Sequence, residues 1–121
     1  MTLEKQSMTL TTALFKLEDT SVNATAVNDV LTGTATWWWI KIDNSLNSAA
    51  SFFKMWNATA PTVGTTAPDN IILVPAYATV IVAVTEGINF ATAISYACVT
   101  GAGTAGTTAP TNAVKLEMVV S

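Results

Sequence analysis

The most apolar stretch of the chain, Ile71 to Val84, is interrupted by Pro75, Tyr77 and Thr79. A membrane-spanning helix needs about 20 apolar residues without such breaks, so this stretch does not make one, and no membrane partner is expected. It reads as two strands joined at Val74-Pro75-Ala76, because proline has no N–H to give to a ladder.

The rest of the chain has the same grain. Helical periodicity is weak, and β-branched residues in short alternations dominate. Met8 to Leu17, Thr34 to Asp43, Ser51 to Asn57, Ile71 to Val74, Tyr77 to Thr85, Ile94 to Thr100 and Ala113 to Val120 read as strands. In the last, Val114, Leu116, Met118 and Val120 alternate with Lys115 and Glu117, the pattern of a strand buried on one face. Asn44-Ser-Leu-Asn-Ser48 supplies turn chemistry and makes Thr34–Asp43 and Ser51–Asn57 a hairpin. Glu86-Gly87 reads as a turn. Two long loops, Ala58 to Asn70 and Gly101 to Asn112, carry Pro, Gly and almost no large apolar residue. The expectation is an all-β fold, a β-sandwich or jelly roll of about seven or eight antiparallel strands. Residues 1–33 form an extended N-terminal arm and first strand, and residues 34–121 the sandwich body. The loops echo each other, Gly64-Thr-Thr-Ala-Pro-Asp-Asn70 against Gly106-Thr-Thr-Ala-Pro-Thr-Asn112, and read as equivalent turns at one end of a sandwich.

Composition narrows the chemistry. The 121 residues include no His, and Lys5, Lys16, Lys41, Lys54 and Lys115 are the five basic residues, so Arg is absent too. Without His the usual general base and the commonest metal ligand are missing, and a Ser–His or Cys–His nucleophile cannot be built within one chain. A net charge of −3 without Arg argues against a phosphate-tracking surface, so no nucleic-acid partner is expected. Gly101-Ala-Gly103-Thr-Ala-Gly106 matches a dinucleotide fingerprint in form. The next residues, Thr107-Thr-Ala-Pro110, do not begin the helix that would meet a pyrophosphate, so the glycines read as loop residues. The eight acids are dispersed and make no calcium loop, and no cofactor is expected. A two-carboxylate hydrolase would have to draw on Asp29, Asp43, Asp69 and Glu86, whose spacing predicts no cleft. Cys98 lies in an apolar run and reads as a small buried hydrophobe. The opening Met1-Thr-Leu-Glu-Lys5 lacks a basic segment followed by an apolar core, so synthesis in a reducing cytoplasm is expected. These features point away from an enzyme.

The aromatic cluster is the strongest lead. Under strict alternation, Trp37, Trp39, Lys41 and Asp43 share one face of their strand, and Phe52, Lys54 and Trp56 share one face of the next. The lysines mark these faces as the wetter ones. Yet three tryptophans and a phenylalanine, each burying roughly 150–250 Å² when covered, are too much apolar surface to leave wet. Trp37, Trp39, Phe52, Trp56, Lys41 and Lys54 are therefore a candidate interface, covered either by the N-terminal segment or by another subunit. Lys41 and Lys54 are placed to stack on the rings.

The segment Phe52-Phe-Lys-Met-Trp-Asn57, then Ala58-Thr-Ala-Pro-Thr-Val-Gly-Thr-Thr-Ala-Pro-Asp69, Ile71-Ile-Leu-Val74 and Pro75-Ala76, resembles a pattern of small tailed-bacteriophage virion proteins. The likeness continues through Glu86-Gly-Ile-Asn-Phe90 and Ala93-Ile-Ser-Tyr-Ala97 to the final strand. It implies a structural β-sandwich, most like capsid decoration (cement) proteins, and brings no catalytic residues with it. The implied partner is a major capsid protein. The implied state is a homo-oligomer, a trimer first, on the capsid surface of the virion after synthesis in the host cytoplasm. The alternative is a tail or fibre module that binds a host receptor or glycan through the two Thr-rich loops.

Overall fold

A computed structural model describes residues 14–121. Seven strands run in order: β1 (Phe15–Val22), β2 (Ala35–Asp43), β3 (Ser51–Asn57), β4 (Asn70–Val74), β5 (Thr79–Phe90), β6 (Ile94–Val99) and β7 (Val114–Val120). They form two antiparallel sheets, one of four strands in the order β1-β7-β2-β5 and one of three in the order β4-β3-β6. The expected all-β sandwich is what the chain forms. Its core lies between the sheets, built from Trp37, Ile40 and Ile42 of β2, Phe53 and Met55 of β3, Ile94, Tyr96 and Cys98 of β6, and the four alternating apolar residues of β7. The Phe53 and Tyr96 rings stack with centroids 5.5 Å apart. Each such side chain, taken fully from water, contributes on the order of 1.5–3 kcal/mol, so this layer holds the sheets together.

Three expectations are corrected. Thr34–Asp43 and Ser51–Asn57 do not form a hairpin: β2 lies in the large sheet and β3 in the small one, and residues 44–50 cross between them. The crossing holds because Asn44 and Asn47, only 1% and 3% exposed, act as internal ties as well as turn residues. Asn44 Nδ2 donates to the carbonyls of Ala49, Val74 and Pro75, and its Oδ1 accepts from Asn47 Nδ2 and Ser51 Oγ. Asn47 Nδ2 donates to the Asn112 carbonyl and its Oδ1 accepts from the Asn112 N–H. One buried amide pair thus fastens the crossover, the β4–β5 turn and the start of β7.

Glu86-Gly87 is no turn but lies within β5. There Gly87, at φ +69°, approaches Trp38 so closely that a Cβ would sit 3.1 Å from the indole. This irregularity is shared: the register on both sides of β2 shifts between Trp37 and Trp39, so that β7 sets only Val120 and Val119 against three β2 residues. The bulge reverses the alternation. Ala35 and Trp37 point inward before it, Ile40 and Ile42 after it.

Finally, the two Gly-Thr-Thr-Ala-Pro loops do not leave from one end. Residues 58–69 come after Asn57, which pairs with Ile94, whereas residues 100–113 come after Val99, which pairs with Phe52 at the other end of β3. The loops meet over the small sheet, where a Cβ on Gly64 would clash with the Thr107 methyl. Gly101 and Gly106 likewise allow backbone to touch backbone, a Cβ on Gly106 falling 3.0 Å from Gly101 Cα. The fingerprint-like glycines therefore close a loop upon itself.

The first-strand expectation, Met8 to Leu17, is met from Phe15 onward, and residues 1–13 of the expected arm and first strand lie outside the described residues. β1 is an integral edge strand, with Val22 in the core and Leu17 packed against it.

Candidate functional site

The six residues of the expected aromatic interface occupy three different places. Trp37 is buried in the core, carried inward by the β2 bulge. Trp39 and Lys41 lie half-buried on the outer face of the large sheet, paired with Ala83 and Ile81 of β5. Phe52, Lys54 and Trp56 share the outer face of the small sheet, opposite in sense to the core residues Phe53 and Met55. A single continuous aromatic face is therefore not formed.

On the small sheet the cover comes from the two loops. The Trp56 indole N–H donates to the Thr66 carbonyl at 2.9 Å, and Lys54 Nζ donates to the Gly103 carbonyl at 2.6 Å. Both side chains are about 1% exposed. Desolvation by this burial pulls the Lys54 ammonium below its ordinary pKa. Its partner is thus a backbone carbonyl, and neither a ring nor a carboxylate.

The loops cover β3 and β6 but stop short of β4. Phe52 and Leu73 are direct cross-strand partners on this face, and Ile71 lies opposite Lys54. Leu73 is 54% exposed, Ile71 46% and Phe52 half-buried. Beyond them Tyr77, at φ +58° in the β4–β5 turn, is 67% exposed, and on β5 Ile81 is 57% exposed. These residues share one sequence property: from Asn70 to Thr85 the chain carries no charge. Both strands of this segment are also sheet edges. A soluble protein ordinarily blunts such edges with Lys, Pro or a covering loop. Ile71, Leu73, Tyr77 and Ile81 do not stand out in the sequence by type, and the signal that marks them is that charge-free span.

The outer face of the large sheet carries charge. Over the large sheet Lys41 faces Glu117 and Asp43 faces Lys115 in register, and Lys16 Nζ lies 3.1 Å from Glu18 and 3.8 Å from Glu117. Opposite charges across strands suit a solvated face. The Ser45 hydrogen bonds hold the Asp43 carboxyl below its usual range. At the β1–β6 edge, the Tyr96 hydroxyl donates to Asp19 Oδ2 at 2.7 Å, beside a groove of about 360 Å³ between β1 and residues 27–30. Burial, with help from Asp19, raises the Tyr96 phenol. Burial likewise pushes the Cys98 thiol up to about 12, which keeps it protonated and unreactive at neutral pH. Among the described residues, no group of three or more Cys, Asp or Glu is placed to hold a metal ion.

Among the described residues, the chain thus offers an apolar strip and, at β4 and β5, two strand edges without a partner, a surface suited to binding another protein. No protein-family model matches the chain, and no curated protein matches it either.

Proposed function

We propose that this protein is a phage capsid decoration protein that binds the assembled head and stabilises contacts between major capsid proteins. The observation that carries the reading is the strip Phe52, Leu73 and Ile71, the last two in a segment without charge, beside a β4 edge that no described strand pairs. An apolar strip next to free backbone donors and acceptors suits a protein partner that supplies both apolar side chains and an extended strand. The resemblance of residues 52–97 to small virion proteins names the kind of partner. Such a protein works by binding only the assembled lattice, which stabilises it by mass action, and many copies acting together strengthen the effect. It uses contact area and backbone pairing in place of catalytic groups.

The receptor-binding alternative assigns recognition to the two Thr-rich loops. Those loops are engaged in covering Trp56 and Lys54, which favours the capsid reading over it. The test is sedimentation of the purified protein with heads prepared without it. Binding to heads is expected, with Leu73→Lys reducing it by at least about tenfold, the effect of losing roughly 1.4 kcal/mol. Glycan binding with no affinity for heads would overturn the proposal.

A further inference from the structure

The β5 edge has an occupant that the chain itself can supply. Among the described residues β5 is the longest strand, 12 residues against five in β4, and β2 is the one strand it pairs with. From Thr79 to Thr85 its free edge is uncharged, and Ile81 is 57% exposed. At the far side of the same sheet, β1 begins at Phe15, which pairs with Val120, the last residue of β7. Upstream of it the sequence Met8-Thr-Leu-Thr-Thr-Ala-Leu14 alternates apolar and small polar residues and carries no charge, the pattern of one further strand. Leu14 and Phe15, where this segment joins the sheet, are each 51% exposed.

Strand directions decide whose edge it joins. All neighbours in the large sheet are antiparallel, so β1 runs with β2 and against β5. Phe15 pairs with Val120, Val120 with Trp37 and Trp37 with Ile88, which places the start of β1 level with the far end of β5. A strand lying antiparallel on its own β5 would finish at the Thr79 end. To begin β1 it would then have to return the length of the sheet, roughly 20 Å, and cross four strand spacings, about 19 Å. No residues separate Leu14 from Phe15 to make that journey. A neighbouring molecule meets no such restriction.

We propose that residues 8–14 of one copy add as an antiparallel strand to the β5 edge of a second copy, so that the protein assembles by strand exchange. The pairing satisfies edge backbone groups and removes Ile81 from water, and a charge-free strand on a charge-free edge brings no like-charge repulsion. Donor and acceptor surfaces differ, so exchange gives a reciprocal dimer, or a ring where the rotation closes. The inference goes beyond the capsid reading and is tested without capsids.

The experiment uses the full chain and two substitutions. Leu10→Pro removes an N–H from the donated strand, and Ile81→Lys places a charge on the receiving edge without disturbing the core. Light scattering is expected to show a multimer for the parent and monomers for both variants, with unchanged circular dichroism. Amide hydrogen exchange is expected to show residues 79–85 protected in the parent and at least about tenfold less protected in Leu10→Pro. A monomeric parent, a multimer that survives Leu10→Pro, or unchanged exchange at residues 79–85 in that variant would each overturn the proposal.

Discussion

Where β1 and β6 end the two sheets, the sandwich is stitched shut. Backbone bonds join Asn23, Val27 and Val30 to Cys98, Tyr96 and Ile94, and the Tyr96 hydroxyl reaches across to Asp19. Lys16, Glu18, Asp19 and Asp29 lie along this edge. Where β4 and β5 end the sheets, no described segment is laid alongside, and Ile71, Leu73 and Ile81 face outward from a stretch without charge. One edge carries the devices that keep a strand from pairing with other chains, and the other lacks them. The difference teaches that the surface open to the proposed associations lies on one side, and that this side is a property of one continuous segment, Asn70 to Thr85.

The contrast can be broken most severely at Asn44, which ties the β4–β5 turn to the body. Asn44→Ala takes one acceptor from Asn47 and Ser51 and the amide donor from three carbonyls, so urea denaturation is expected to show a loss of about 3 kcal/mol. Gly87→Ala strikes β5 itself. Its Cβ would fall 2.6 Å from the Thr36 methyl at a φ of +69°, and a loss of about 2 kcal/mol is expected in the same measurement.

On the stitched side, Cys98 gives β6 a pH signature. The folded thiol holds its proton to about 12, while the unfolded thiol releases it near 9.0. Between these values the unfolded state binds fewer protons, so stability falls as pH rises, by about 1.4 kcal/mol per unit. Cys98→Ala is expected to flatten the slope by that amount between pH 9 and 11. Lys54 acts in the opposite sense and is common to both proteins. The smallest effect is expected for Tyr96→Phe, which removes the bond to Asp19. A loss of about 1 kcal/mol, with the oligomeric state unchanged by light scattering, would sharpen the distinction between a sealed edge and an associating one.

Legibility in the sequence tracked the range of the interactions. β7 could be read residue by residue, because Val114, Leu116, Met118 and Val120 are buried by an alternation written in the strand itself. β2 could not. The parity of its tryptophans is reset at Trp38 by a bulge that depends on Gly87, far along the chain. Lys54 read as a mark of the wet face because the carbonyl that buries it belongs to Gly103, in a loop with no large apolar residue. Asn44 and Asn47 were recognisable as turn formers, but a turn residue and a buried tie have the same spelling. The Gly-Thr-Thr-Ala-Pro echo was visible, and its meaning, two loops meeting over one sheet, required knowing that β3 and β6 are antiparallel neighbours.

Lys54 also sets how the molecule breathes. When the loop carrying Gly103 closes, it strips water from an ammonium and returns a single carbonyl, so its closure is opposed by a cost that most loops do not face. The part of this loop around Gly103, away from the Asn112 tie to Asn47, is therefore expected to open more readily than the sheets beneath it. Each opening uncovers a primary amine that is otherwise shielded. Acylation is expected to be fast at the exposed Lys115 and, at Lys54, gated by loop opening, so one side chain serves as a built-in clock for the movement above it.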